Sequence, residues 1–202
     1  MDIIRPWVRK NADTLLEQVN ERLTSDMWNK YCQGNLSKWE MDAVSFYSHG
    51  HELAGIRKDL YEITDFSKIP ENPVVERVLP IKGKQIPIFK LYRIAGTILD
   101  KDKNKKTVTL LTTDGVVTAK IFGAVFTHYD KQISEKGADG KKHVIEKSWL
   151  SRGNKIIVTG IKQSDGFLAK KYSRTPHSLV GKIEQVNSDG TLLITSERKE
   201  IS

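Results

Sequence analysis

Cysteine is nearly absent from this chain of 202 residues. The single thiol, Cys32, excludes an intramolecular disulfide framework and a cysteine-based zinc cluster, and its place in a helical pattern reads as packing. Long apolar runs are also missing, since none approaches the roughly 18 residues that a spanning helix needs. With no signal-peptide core at the start, a reducing cytoplasm is the expected compartment. No basic amphipathic helix with a broad aromatic face offers itself to a membrane surface. Neither a serine nucleophile elbow nor a phosphate-binding glycine loop occurs, which leaves covalent catalysis and mononucleotide hydrolysis without support. Proline is scarce, at 6 residues, and informative where it falls. Pro70 and Pro73 in SKIPENP end a helical first third.

Positive charge is plentiful and uneven. From Lys82 to Arg174 there are 20 Lys and Arg against 8 Asp and Glu, a net of +12, whereas the whole chain carries only +8. The rest is therefore acidic, and the basic region points to a polyanionic partner.

Before the prolines, NADTLLEQVNERLTSDMWNKYC sets Leu15, Val19, Leu23 and Trp28 at helical spacing behind Asn11 or Asp13 as N-cap. Ser37-Lys38-Trp39-Glu40 fits a capping box for a second helix through Met41, Val44 and Tyr47, which Gly50 stops. HELAGIRKDLYEI predicts one more short helix. After Pro87 the apolar period shortens to that of strands. IFKLYRIAGTILD, KTVTLLTTD, VVTAKIF, NKIIVTGIKQ and FLAKKYS read as five strands, with a helix over AVFTHYDKQI between the third and fourth. That order is the order of an OB-fold barrel. SEKGADGKKHVIEKSW reads as a polar, mobile loop, and VGKIEQVNSDGTLLITSE as a hairpin turning at Asp189-Gly190. The expected fold is α+β: a helical segment over 1–70, a five-stranded OB-fold β-barrel over 71–176, and a C-terminal β-hairpin over 177–202.

The stretch DKDKNKK (100–106) between the first two barrel strands could hold a metal, a polyanion or only water. Asp100, Asp102 and Asn104 imitate the start of a calcium loop. Lys105 stands where that loop needs Gly, however, and Leu111 where it needs a bidentate Glu. Four flanking lysines and the lack of a third carboxylate count against a two-magnesium site. His49 and His51 have no cysteine partner and no recognisable ligand spacing, so they read as a helix end. No metal or cofactor is expected.

The basic side of the same stretch fits nucleic acid. If Val108 and Leu110 point into the barrel, Thr107, Thr109 and Leu111 face outward. If Val117, Ala119 and Ile121 point in, Thr118, Lys120 and Phe122 face out. An exposed Phe beside an exposed Lys is what a single-strand stacking platform needs. The expected contacts are Lys101, Lys103, Lys105 and Lys106 in the loop, Lys120 and Phe122 on the third strand, and Lys162, Phe167, Lys170, Lys171 and Tyr172 around the last two strands.

Two segments carry a family resemblance. WEMDAVSFYSHGHEL (39–53) resembles the segment preceding the OB domain of bacterial replicative DNA polymerase III α subunits, and residues 94–133 resemble that domain's core, where Ala119 to Phe126 match a V-x-V-F-x-x-x-F run. Gly-His-Glu-Leu replaces the family's Gly-His-Pro-Leu, and Gln33-Gly34-Asn35-Leu36-Ser37 lacks the aromatic of a clamp-binding motif. The resemblance implies a single-stranded DNA-binding module within the C-terminal region of such a polymerase, partnered by the remaining polymerase domains or holoenzyme subunits. It implies no catalysis by this chain alone, because it covers none of the palm that carries the family's metal-binding carboxylates. A protein-docking OB platform and a free-standing tRNA-binding OB protein are the alternatives.

Overall fold

The computed structural model describes residues 11–31, 43, 50–81, 83–136 and 142–198. Cys32, the capping box at 37–40, the helix expected after it apart from Ala43, the 33–37 stretch and His49 lie outside those residues.

Helix α1 (Ala12–Tyr31) forms where the helical period predicts it, with Asp13 in its first turn to complement the amide dipoles. Leu16, Val19, Leu23 and Met27 stand exposed along it. The helix expected over 51–63 is replaced by bends and a 3-10 turn at Lys58–Tyr61, with a second 3-10 turn at Phe66–Lys68. Tertiary demands override the helical spacing here. Leu53, Ile56 and Ile63 all enter a small core, and Glu62 adopts left-handed backbone (φ 53°) to end the first turn.

Strands follow as β1 (Val75–Ile81), β2 (Lys84–Phe89), β3 (Tyr92–Asp102), β4 (Thr107–Thr112) and β5 (Gly115–Lys120). Helix α2 (Gly123–Asp130) precedes β6 (Ile133–Lys136), β7 (Lys142–Glu146), β8 (Lys155–Gln163) and β9 (Gly166–Ala169). The chain then forms β10 (Val180–Val186) and β11 (Leu192–Thr195). Strands β8-β3-β4-β5-β9 lie side by side, and a β8–β9 pairing closes them into the five-stranded barrel with the expected strand order. Closure brings the strands into tight contact at Gly160. A Cβ there would sit 2.1 Å from the Leu168 carbonyl oxygen, so only glycine fits.

Alternation holds on β4, β5 and β9, while β3 and β8 are buried on both faces. Val108, Leu110, Val117, Ala119 and Ile121 point inward to meet Ile94, Ile98, Ile156 and Val158, and Phe126 and Trp149 join the same core. The C-terminal hairpin β10–β11 continues the barrel sheet, because β10 pairs with β8. Its Ile183 and Leu192 cover Leu53, Ile56 and Ile63 in the second core. Two further hairpins, β1–β2 and β6–β7, form separate two-stranded sheets. The second takes up residues 134–136 and 142–146 of the segment expected to be a loop, so that expectation is corrected there.

Candidate nucleic-acid interface

The β3–β4 turn is fastened by Asp102. Asp102 Oδ1 accepts hydrogen bonds from the backbone N–H of Asn104 (2.8 Å) and Lys105 (2.9 Å). The bond from Lys105, with that from Asn104, holds the Asp102 carboxyl below its ordinary range. Asp100 lies within β3, opposite Thr109. Of the four lysines, Lys101 is hydrogen-bonded to Asp130, and Lys103 lies 3.4 Å from the same carboxylate. Burial works against ionising Asp130, yet hydrogen bonds from Lys101 and Ser148 outweigh it and keep the carboxyl below its ordinary range. Lys106 sets its ammonium 5.2 Å from the Phe126 ring centre. Lys105, 80% exposed and 4.0 Å from Asp102, is the loop's most accessible cation. The turn therefore directs three of its lysines at α2, two to Asp130 and one to the Phe126 ring.

Phe122 caps α2 in extended backbone (φ −60°, ψ 147°), and its ring is 57% exposed. An exposed phenyl at a helix start is unusual for packing and suited to stacking. It lines an open groove of about 1510 Å³ together with Val125 and His128 of α2 and with Lys170, Lys171 and Tyr172 after β9. Lys120, two residues before Phe122, is exposed and pairs through its backbone with Leu168 of β9. Tyr172 is fixed where its hydroxyl accepts a hydrogen bond from the Phe89 N–H (2.9 Å). Lys170 lies 5.1 Å from the Phe89 ring and 5.3 Å from that of Tyr172. Lys171 is exposed. Phe122, Lys170, Lys171 and Tyr172 thus share one groove whose aromatic and cationic groups suit bases and phosphates respectively.

Two expected contacts are corrected. Phe167 is 1% exposed and belongs to the barrel core, because Phe167 and Ala169 are the inward pair of β9 while Gly166 and Leu168 face out. Lys162 is engaged within the fold. Its ammonium sits 4.5 Å from the Phe66 ring centre and 3.3 Å from the Ile69 carbonyl oxygen, fastening the 66–69 segment to the barrel.

His51 does a structural task. Its Nδ1 accepts from the Leu53 N–H at 3.0 Å, so Nε2 carries the proton and donates to the Leu111 carbonyl at 3.0 Å. Burial lowers its pKa, favouring the neutral ring that this pair of bonds requires. Next to it Glu52, 2% exposed, pairs with Lys155. The Gly-His-Glu-Leu segment therefore staples the chain before the barrel to β4 and β8. Among the described residues no group of three or more His, Cys, Asp or Glu side chains could hold a metal ion. None of the described helices is long and apolar enough to cross a membrane.

Arg93 escaped the sequence reading. It occupies an outward position of β3, is 8% exposed, and lines the Phe122 groove. The only signal was a lone charge opening the apolar run RIAGTIL.

Over all 202 residues the chain is 41% identical to the probable DNA polymerase YorL of Bacillus subtilis (strain 168) and to the DNA-directed DNA polymerase of Bacillus phage SPbeta. It spans about 15% of the length of these curated relatives. No family model and no solved structure matches it.

Proposed function

We propose that this chain is part of a DNA polymerase and that its barrel binds single-stranded DNA, guiding the template strand without catalysing nucleotide transfer itself. The names of the two relatives support the polymerase assignment. The resemblance of residues 39–53 and 94–133 to the polymerase III α family supports the template-binding role, with the remaining polymerase domains as partners. The observation that carries the reading is Phe122, exposed in a groove that also holds Lys170, Lys171 and Tyr172. Aromatic rings flanked by cations bind single strands with little sequence preference, since every base has a face to stack.

The second reading, a surface that docks another replication protein, draws on the exposed Val116 (61%) on β5 and on the internal pairing of Lys101 and Lys103. Fluorescence anisotropy with labelled oligo(dT) across a salt series separates the two. DNA binding weakens steeply with salt, with a log–log slope of about −0.7 per phosphate contact. Phe122→Ala should lower affinity by about 1–3 kcal/mol, because one stacked base is lost, while leaving the salt slope unchanged. The ring is too exposed for its loss to unfold the barrel. Salt-insensitive binding, or an unchanged affinity in Phe122→Ala, would favour docking.

A further inference from the structure

Arg93 lies where two grooves meet. The first is the Phe122 groove. The second, of about 650 Å³, is lined by Lys90, Arg77 and Arg174 among others, and the two share Arg93, Tyr172, Pro176 and His177. Both are more basic than acidic. The first has Arg93, Lys170, Lys171 and Arg198 against Glu197, and the second Lys58, Arg77, Lys90, Arg93 and Arg174 against Asp59, Glu62 and Glu76.

Arg93 is 8% exposed as a residue, yet its guanidinium has no salt bridge to a carboxylate among the described residues. One terminal nitrogen donates to the Tyr61 carbonyl, and the buried Nε–H has no hydrogen-bond acceptor. The nearest carboxylate in charge terms, Glu62, is 71% exposed and hydrogen-bonded to His177 at 2.9 Å. Burial lowers the Arg93 pKa, with the Glu62 charge acting in the opposite sense. A buried guanidinium normally pairs with an anion, since an unpaired charge and an unmade hydrogen bond both cost stability. Its planar fork matches the two oxygens of a phosphate.

We propose that Arg93 holds a backbone phosphate of single-stranded nucleic acid, so that the strand runs from the Arg77–Lys90–Arg174 groove over Tyr172 into the groove of Phe122. This rests on the single-strand reading above and adds to it a path and an anchoring side chain. The anchor sits at the start of β3, before the part of that strand that pairs with β4, so the strand would pass along one margin of the barrel.

The test uses the full chain and an abasic deoxyribose-phosphate oligomer, which keeps the phosphates and removes stacking. The Arg93 Nε–H resonance, assigned by its loss in Arg93→Lys, should shift on titration with the oligomer. Arg93→Gln should weaken binding about tenfold and reduce the salt slope by about 0.7, as expected for one lost charge-assisted contact. Because Arg93 also supports Tyr61, the variant's fold is checked by its thermal midpoint, and the parent resonance remains decisive if the variant unfolds. An oligomer that binds without moving this resonance overturns the anchor while leaving the single-strand reading intact. If no oligomer binds but inorganic tripolyphosphate moves the resonance, the anion site stands and the nucleic-acid reading fails. If neither probe moves it, the anchor is overturned.

Discussion

Asp65 gathers three donors on one carboxylate. Lys58 bonds Oδ1, Lys68 reaches Oδ2 at 2.9 Å, and the Thr113 hydroxyl donates to Oδ1 at 3.2 Å. The hydrogen bond from Lys58, followed by that from Lys68, lowers its pKa to about 2. Lys68 is 74% exposed and contributes little stability, whereas Lys58 and Thr113 tie the segment before the barrel to the β4–β5 turn. A folded-state pKa below the unfolded value adds stability that is fully present above the unfolded value. That stability is lost as the pH falls through the folded one. Asp65→Asn should therefore destabilise the chain by on the order of 1–2 kcal/mol at neutral pH. The gap to the parent should close between about pH 4 and pH 2. Urea unfolding of both proteins across that range measures it, and a gap independent of pH would mean that the carboxylate charge is not what matters. His51 shows the same principle without charge, since two neutral hydrogen bonds pin the chain to the Leu111 carbonyl and the Leu53 N–H.

At the scale of elements, legibility follows burial. β4 and β5 could be read because each has one face in the core, so apolar and polar residues alternate, as in Thr107–Thr112 with Val108, Leu110 and Thr112 buried, whereas β3 and β8 are buried on both faces and show as short apolar runs. The β6–β7 hairpin has no such face. Lys142 to Ile145 are all exposed, Val144 and Ile145 at 50% and 47%, and a strand that buries nothing on either face leaves no period to find. The β1–β2 hairpin is mostly exposed, with Ile88 buried near the end of β2, and carries Pro80, a residue that argues against a strand except at an edge. Phe167 was expected at the loop before the last barrel strand, but it lies within β9, where apolar side chains at 167, 168 and 169 do not reveal which pair faces in. Arg93 was illegible because its partner, the Tyr61 carbonyl, lies in a turn distant in sequence. Exposure of β7 leads to a prediction. Replacing residues 135–144 by a short Gly-Ser linker should leave the thermal midpoint within a few degrees of the parent, since the buried residues Ile133 and Trp149 are retained. Loss of a cooperative transition in circular dichroism would show that the hairpin supports the barrel.

Across the whole molecule, the +12 of residues 82–174 overstates the charge available to a ligand. Lys101 and Lys103 face Asp130, Lys155 faces Glu52, and Lys162 faces carbonyl oxygens near Phe66, so these cations hold the barrel's ends and approaches together. The cations left toward solvent near the Phe122 groove include Lys120 and Lys171. The number of lysines in the sequence is thus a poor guide to the number of phosphates that can be neutralised, and the salt slope is a better one. Lys120→Ala with Lys171→Ala should flatten the oligo(dT) salt slope by up to about 1.4, two contacts at about 0.7 each. Lys101→Ala with Lys103→Ala should change it less and should lower stability instead, because Asp130 loses the donors that offset its burial. The contrast between these two charge-matched double variants, measured in one anisotropy series, separates local architecture from the general field of a basic protein. If both variants flatten the slope equally, binding follows net charge alone, and the Phe122 groove has no claim to the strand.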